Sequence, residues 1–282
     1  MSALKIEAEI KVESEPCVVA WDNTLYVGTE TGAIFSYDKN LSPGADWIAH
    51  ESQVFALSAA NGFVYSSSYD GGVRVWSAKG DKIAELPPTG GDIGALCVHE
   101  NQLISGDESG NVVIYENNKV KAKYQVLEEV KDISLKPPYM FTARDLYVTV
   151  TEIKPEESKT RFTTRHTMEG RAPLRVAGTR LLVTARGANN LQLHDASIDT
   201  KFKKLHEVKV SDMILTSLSV SEDHAWTGGW DGVVRRWKIA GDQLQPAGEI
   251  NLGVCVNALV AIKSDVAYVV LTGGRLVCLK GA

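Results

Sequence analysis

The sequence predicts an all-β fold made of seven similar units, and three observations support this prediction. Residues 62–76, GFVYSSSYDGGVRVW, contain two apolar runs around an Asp-Gly turn, a pattern typical of β-hairpins. Residues 225–237, AWTGGWDGVVRRW, repeat that pattern without gaps. Weaker copies begin at residues 26, 104, 141, 183 and 268. The equivalent positions in the two best copies are Tyr65 and Trp226, so successive copies are 37 to 43 residues apart.

Repeats of this length, each with several short strands, must stack on one another to bury their apolar faces. The two best copies align Ser66 with Thr227, Asp70 with Asp231, and Trp76 with Trp237. This pattern resembles the WD40-repeat family of β-propellers, and the resemblance extends over nearly the whole chain. It implies a single seven-bladed propeller spanning residues 1–282, with no linker and no second domain.

Residues 4–12 alternate strictly between apolar and charged side chains, which predicts a half-buried strand. At the other end, the hairpin at 266–280 leaves no residues before Ala282 for a fourth strand. We therefore expect residues 4–12 to complete the last blade, because closing the ring in this way removes an exposed sheet edge. The alternative is a disordered tail, which the strict alternation disfavours.

The remaining elements follow in chain order. Four strands are expected in blade one, near residues 17–21, 24–28, 33–37 and 45–49. Blade two begins after His50, and later blades begin near Ile93, Val130, Pro173, Leu215 and Cys255. The Pro-Pro pairs at 87–88 and 137–138 fall between predicted strands, where a missing backbone N–H costs nothing.

Composition bounds the class of protein. A formal net charge of -5 argues against general nucleic-acid binding, which requires a basic surface. The four cysteines have no CxxC spacing and lie in apolar strands, so reduced thiols are expected rather than disulfides or metal ligands. The N-terminus has no apolar signal core, and no apolar run approaches ~18 residues. We expect a soluble protein of the cytoplasm or nucleus, not a secreted one.

His50, Ser66 and Asp70 are the residue types of a hydrolase triad. The family resemblance implies another role, in which Asp70, His50, Ser66 and Trp76 form a buried hydrogen-bonded chain that makes the blade rigid. We favour this structural network because a buried network is stable when every member is satisfied. The sixth repeat keeps three of these positions, Thr227, Asp231 and Trp237, with Ser211 in place of His50. Blades with Thr31, Ser109 or Ala188 at the Asp position are expected to depend more on apolar packing.

No metal, cofactor or small-molecule substrate is expected. The six histidines lie in different repeats, and no two have the spacing that aims both rings at one ion. The sequence contains neither a dinucleotide-binding GxGxxG between strand and helix nor a Walker loop. A catalytic site in the central channel of the propeller is the alternative that the scattered histidines disfavour.

The turn that precedes each third strand holds the candidate protein-binding residues. In the family this position points outward and contacts ligands, and here Tyr69 and Trp230 occupy it. Exposed aromatic residues are over-represented in binding hot spots, although Trp230 packed into a loop cluster is the competing interpretation. The same face is expected to carry negative charge from Glu30 and Glu108 and positive charge on its opposite side. The positive residues are Arg144 and Arg186.

Charge is unevenly distributed along the chain. Residues 144–209 contain thirteen Lys or Arg and eight Asp or Glu, against the acidic balance of the whole. Six of these basic residues are predicted near the outer strands of blades four and five, a set called the basic rim: Lys159, Arg161, Arg165, Lys201, Lys203 and Lys204. The rim would suit an anionic lipid or acidic peptide, but a solvated edge protected against strand pairing is favoured.

These observations predict a non-catalytic scaffold or adaptor. It would bind peptide segments or domains of partner proteins on the turn-rich face, within a multiprotein complex. Binding to a phosphoinositide-containing membrane surface through the basic rim is one alternative, disfavoured because the FRRG motif of lipid-binding propellers is absent. A substrate receptor of a ubiquitin ligase is another, as a special case of the scaffold.

Overall fold

The computed structural model of the chain describes residues 3–126, 128–154, 156 and 161–281. These residues form seven antiparallel sheets of four strands each. The first strands of successive sheets contact one another in turn, and the innermost strand of the last sheet contacts that of the first. The sheets are therefore the blades of a closed ring, and the predicted all-β, seven-bladed propeller is confirmed.

Strands are numbered in chain order and blades follow the order of the repeats. Blade one contains β2 (Pro16–Trp21), β3 (Leu25–Thr29), β4 (Ala33–Tyr37) and β5 (Pro43–Ile48). Blade two contains β6 (Ala56–Ala60), β7 (Phe63–Ser68), β8 (Gly71–Ser77) and β9 (Lys82–Glu85). Blade three contains β10 (Ile93–His99), β11 (Gln102–Asp107), β12 (Asn111–Glu116) and β13 (Lys119–Gln125). Blade four contains β14 (Asp132–Lys136), β15 (Tyr139–Ala143), β16 (Tyr147–Lys154) and β17 (Arg161–Glu169).

The last three blades have the same order. Blade five contains β18 (Arg171–Ala177), β19 (Arg180–Thr184), β20 (Asn190–Asp195) and β21 (Lys204–Lys209). Blade six contains β22 (Leu215–Ser221), β23 (His224–Gly229), β24 (Val233–Ala240) and β25 (Gln243–Asn251). Blade seven contains β26 (Val256–Lys263), β27 (Val266–Leu271), β28 (Arg275–Lys280) and the N-terminal β1 (Lys5–Lys11). None of the described residues forms a helix with the length and apolar character needed to cross a membrane.

The N-terminal strand closes the ring as predicted. β1 pairs antiparallel with β28, from Lys5 opposite Lys280 to Lys11 opposite Arg275. The Arg275 guanidinium also binds the Glu9 carboxylate, with Nε 2.8 Å from Oε1. Leu4 and Val12, which flank the strand, are both buried. The last blade therefore has four strands because the two ends of the chain meet in one sheet.

The meander of each blade gives the ring two different faces. Turns between second and third strands lie on the same face as the connections from one blade to the next, and we call this the upper face. Turns between first and second and between third and fourth strands lie on the opposite, lower face. Tyr69 and Trp230 both lie in turns between second and third strands, so both belong to the upper face.

The apolar core lies between neighbouring blades. Tyr26 of blade one packs with Val64 and Trp76 of blade two, and Trp47 lies against both rings. Comparable clusters join the other neighbouring blades. Each blade thus buries its faces against its neighbours, as the repeat pattern requires.

Candidate functional site: the upper face of the propeller

Blade two contains a continuous hydrogen-bonded chain from its upper turn into the sheet. His50 lies in the connection before β6, and its Nδ1 is 2.8 Å from Oδ1 of Asp70. The His50 Nε2 is 2.8 Å from Oγ of Ser66 in β7, and Trp76 Nε1 in β8 donates to the same Oγ at 2.9 Å. The four residues that the sequence grouped therefore do lie together.

The electrostatics of this chain fit a structural role. Burial lowers the pKa of His50, although Asp70 acts in the opposite direction, so the ring is neutral near pH 7. A neutral ring donates from Nδ1 to Asp70 and accepts the Ser66 hydroxyl proton at Nε2. Ser66 has no exposed surface, and no substrate carbonyl can reach its oxygen. The arrangement holds the blade together and does not present a nucleophile.

Blade six keeps part of this network. Trp237 Nε1 donates to Oγ1 of Thr227 at 3.0 Å, which reproduces the link between the second and third strands. Without a histidine, the Asp231 carboxylate binds Arg235 at 2.7 Å and accepts the Val233 N–H at 3.0 Å. Ser211 Oγ accepts the N–H of Met213, two residues further along its own connection.

Blade three is one of the blades expected to depend more on apolar packing, and it also contains a polar network of its own. Asp107, at the end of β11, has no exposed surface. Its carboxylate accepts the backbone N–H groups of Ser109 and Asn111 at 3.0 and 2.7 Å, and the hydroxyl of Thr89 at 2.6 Å. An aspartate two positions earlier than expected, followed by Gly110 and Asn111, was the sequence signal for this second network.

The two aromatic residues of the upper face are exposed. The exposed fraction is 62% for Tyr69 and 58% for Trp230. The Tyr69 ring packs edge-on against Phe55, with centroids 3.8 Å apart, and this contact supports the ring from the connection that precedes β6. The backbone N–H of Trp230 donates to the backbone carbonyl of Ile214 at 3.0 Å, and this hydrogen bond fixes the backbone of the Trp230 turn.

Trp230 does not stand alone, and the sequence did not reveal its neighbours. Three more large apolar residues are exposed in the connections on either side of blade six: Met213 at 52%, Ile214 at 37% and Val254 at 37%. Close backbone contacts bring them to Trp230, because an added Cβ at Gly229 would meet the Ile214 carbonyl oxygen at 2.3 Å. One at Gly232 would meet the Val254 carbonyl oxygen at 2.8 Å. We call Met213, Ile214, Trp230 and Val254 the blade-six patch.

The upper face carries negative charge on the side of blades one to three. Glu30 and Glu108 are exposed, as is Glu51, and none of these carboxylates has an ion pair within the part of the chain that the structure describes. This side of the face is acidic, as expected for blades one to three.

The opposite side of the upper face was expected to be positive, but its two arginines form ion pairs with carboxylates of the protein. Arg144 binds the carboxylate of Glu128, and Arg186 lies 3.6 Å from that of Glu169. Both guanidinium groups also lie over the ring of Tyr147, at 5.2 and 5.9 Å from its centroid. Their charges are largely neutralised within the protein, and the upper face is acidic and apolar rather than divided.

Two members of the basic rim are also paired. Arg165 Nε donates to Glu152 at 2.6 Å, and Lys204 lies 2.7 Å from Glu207. Lys201 and Lys203 are exposed in the connection before β21. Lys159 lies outside the described residues, and only the backbone of Arg161 is described. The rim therefore presents less free positive charge than its composition suggests.

The central channel is lined by the inner strands and has a volume of about 290 Å³. Two of its charged residues join blades four and five: Asp132 accepts the backbone N–H of Leu174 at 2.9 Å and binds Arg175 at 2.6 Å. The described part of the chain contains no group of three His, Cys, Asp or Glu side chains placed to hold a metal ion.

All four cysteines are free thiols. Burial raises the pKa of Cys17, Cys97 and Cys278 to about 11, and it also raises the pKa of Cys255. The thiols are therefore protonated and unreactive at neutral pH.

The fold is a seven-bladed β-propeller in which each blade is one four-stranded repeat, and blade two contains the hydrogen-bonded network of His50, Ser66, Asp70 and Trp76. Residues 42–77, which include His50, Ser66, Asp70 and Trp76, match the family model described as "WD domain, G-beta repeat". This match to one repeat and the seven-bladed fold together support a WD40-repeat β-propeller family for the chain. Propellers of this family generally act as non-enzymatic scaffolds for protein–protein interaction.

Two further comparisons agree with this assignment. A segment of 60 residues, 21% of the chain, is 35% identical to the type II inositol polyphosphate 5-phosphatase 14 of Arabidopsis thaliana. The match spans 5% of that protein's length, so the likeness concerns this one segment. The crystal structure of the computationally designed Ika8 protein is similar with a TM-score of 0.73 and 18% identity, over 96% of this chain and 98% of that one. That likeness shows the fold alone.

Proposed function

We propose that the protein is a non-catalytic adaptor that binds a peptide segment or domain of a partner protein on its upper face, within a larger complex. The blade-six patch carries this proposal, because it exposes Trp230 with three large apolar neighbours in one place. Contiguous exposed apolar surface on a soluble domain marks an interaction site, and tryptophan is enriched among binding hot spots.

The acidic side of the face indicates the chemistry of the partner. Glu30, Glu51 and Glu108 surround the side of the ring where Tyr69 stands, and their charges are unpaired among the described residues. A partner with apolar anchors and a basic segment complements this face. A substrate receptor of a ubiquitin ligase would use the same surface. The four free thiols support a reducing compartment, the cytoplasm or nucleus, as its place of action.

The membrane alternative has weaker support. Its basic rim contains Arg165 and Lys204, whose charges are already balanced by Glu152 and Glu207. Liposome flotation at two salt concentrations tests it directly, because electrostatic attachment to anionic lipids weakens as salt rises.

The test of the adaptor function removes both aromatic anchors. Partners are identified by affinity isolation and mass spectrometry, and their dissociation constants are then measured with purified components. Tyr69→Ala combined with Trp230→Ala is expected to weaken binding at least roughly thirtyfold, since loss of a hot-spot residue costs about 2 kcal/mol or more. Circular dichroism and melting temperature should stay nearly unchanged, because both side chains are exposed.

Ile83→Ala combined with Val120→Ala is the matched control. These residues are also exposed, at 49% and 41%, but they lie near the starts of the outer strands β9 and β13, next to turns of the lower face. The control should bind every partner normally. If the aromatic double variant unfolds, the two rings are part of the core; if it folds and keeps every partner, the upper face is not the binding surface.

A further inference from the structure

A groove of about 580 Å³ opens on the lower face, between blades seven and one. Its apolar lining comes from Ala8, Ile262, Val266, Tyr268 and Cys278. The volume lies in the range typical of ligand-binding sites, and such sites combine an apolar lining with a few placed polar groups. The polar groups here are Glu7, Asn40 and three lysines, Lys39, Lys263 and Lys280.

The lysines of blade seven lie in one row across the sheet. Lys263 is opposite Val266, Val266 is opposite Lys280, and Lys280 is opposite Lys5 of the closing strand. Residues directly opposite in a sheet point to the same side, and like charges in such positions are destabilising. The Glu7 carboxylate lies beside this row, with its Oε1 3.5 Å from Nζ of Lys280. The residues that line the groove therefore include three lysines and one carboxylate.

Blade one supplies the facing side of the groove. Its lower turn carries Lys39 and Asn40, and Asp38 holds that turn by accepting the N–H groups of Asn40 and Ser42, both at 2.8 Å. Tyr268 of blade seven donates its hydroxyl proton to the Lys39 carbonyl at 2.8 Å. The backbone on this side is therefore fixed. Neither Lys39 nor Lys263 has an ion pair in the described ranges.

We propose that this groove binds a segment of a partner protein that carries acidic residues beside an apolar side chain. The lysines complement the carboxylates, and the lining of Val266, Ile262 and Ala8 accommodates the apolar side chain. The site lies on the face opposite the blade-six patch, so it is a second binding surface whose existence does not depend on the first.

The surroundings favour a narrow chain over an anionic membrane. Turns of the lower face outside the groove carry many carboxylates: Asp22, Asp81, Glu100, Glu222, Asp223 and Asp242. A flat anionic surface laid across this face would be repelled by these side chains. A single extended segment can enter the groove and contact its lysines and apolar lining without lying against these carboxylates.

The test uses a phage-displayed library of random dodecapeptides selected on the full chain. Selected sequences should be enriched in Asp or Glu next to a large apolar residue. Synthetic copies, labelled with fluorescein, should bind at least tenfold more weakly to the variant Lys39→Ser/Lys263→Ser/Lys280→Ser. This variant should fold normally, because it removes charges that repel one another.

The matched control, Lys79→Ser/Lys201→Ser/Lys203→Ser, removes three exposed lysines from lower-face turns outside the groove. It should bind the peptides as the unmodified protein does, and so should the variant Tyr69→Ala/Trp230→Ala. Equal weakening by both lysine variants would mean general charge attraction and would overturn the proposal, as would a selected pool without acidic enrichment. Binding to phosphatidylserine vesicles that only the groove variant loses would overturn it in favour of a lipid site.

Discussion

A single hydroxyl at position 66 joins three parts of blade two. Ser66 Oγ lies 2.8 Å from His50 Nε2 and accepts the Trp76 N–H at 2.9 Å. It therefore connects the entry of the blade to its second and third strands. Because Ser66 and His50 are almost fully buried, removal of one partner leaves the others unsatisfied in a place that water does not reach.

We expect His50→Ala, Ser66→Ala and Asp70→Ala each to lower the free energy of unfolding by ~1–3 kcal/mol. The losses should be strongly non-additive, since one network is broken whichever member is removed. Chemical denaturation of single and double variants measures both effects. Thr227→Ala, in blade six, is the control and should combine additively with Ser66→Ala. Additive losses within blade two, or a lost hydrolytic activity at unchanged stability, would contradict the structural role.

The buried ring of His50 also predicts how stability depends on pH. Burial lowers its pKa in the folded state below the ordinary value of 6.5. Above that value the ring is neutral in both states, and pH has no effect through this group. As pH falls below 6.5 the unfolded chain takes up a proton that the folded protein does not, so stability decreases.

The stability of the unmodified protein should therefore fall from about pH 6.5 to about pH 5.5, and the fall should be shallower in His50→Ala. Urea denaturation midpoints across this range measure the difference. Burial also lowers the pKa of His194, which is present in both proteins. The stability of His50→Ala should therefore still fall somewhat as pH decreases. Parallel curves for the two proteins would show that His50 does not titrate in this way.

At the scale of elements, β1 decides whether the last sheet has an open edge. It covers β28 along its length, and the flanking Leu4 and Val12 bury apolar surface against neighbouring strands. Without β1 the backbone groups of β28 would be free to pair with another chain.

Deletion of residues 1–13 is expected to cause a large fall in melting temperature and self-association. Differential scanning calorimetry and size-exclusion chromatography measure the two effects. A synthetic peptide of residues 1–13 added in excess should recover part of the loss, because a ligand that binds only the folded state stabilises it. A truncated protein that stays monomeric and equally stable would mean that the ring does not depend on this strand.

At the scale of the whole molecule, the ring requires close approach between each blade and the next. Gly106 of blade three faces Val130 at the entry of blade four, and an added Cβ would lie 2.4 Å from Val130 Cγ1. Gly28 faces Val54 and Gly228 faces Val256 in the same way, at 2.8 and 2.5 Å. These glycines let a valine of the following blade pack directly against the backbone.

Gly106→Ala is expected to lower the free energy of unfolding by ~1–3 kcal/mol, the usual cost of overpacking a well-packed core. Gly94→Ala is the matched control: an added Cβ there has as its only near neighbour the Val130 carbonyl oxygen, at 3.8 Å. It should change stability by no more than about 0.5 kcal/mol. Equal effects of the two substitutions, measured by urea denaturation, would show that the interblade contact relaxes without cost.

The sequence by itself determined the features that depend on short-range patterns. Alternation and Asp-Gly turns specify hairpins whose register is set within about ten residues, so the repeat and the closing strand β1 could be predicted from them. The exposure of Tyr69 and Trp230 could be expected as well, because a side chain in a tight turn at the end of a hairpin has few neighbours to pack against. The network around His50 was implied by the family resemblance, which these residues carry.

Only the tertiary structure decided which residues from different blades meet. Ile214 and Val254 come from separate connections and approach the turn of Trp230 only when blade six is in place. Arg144 and Arg186 read as free positive charges in the sequence, yet the packing of blades four and five places a carboxylate beside each.

Lys39 and Lys280 lie near opposite ends of the chain, and they share a groove only because the ring closes. The physical reason is the same in each case. Local hydrogen bonding sets the shape of a blade, whereas contacts between blades depend on how seven twisted sheets pack together.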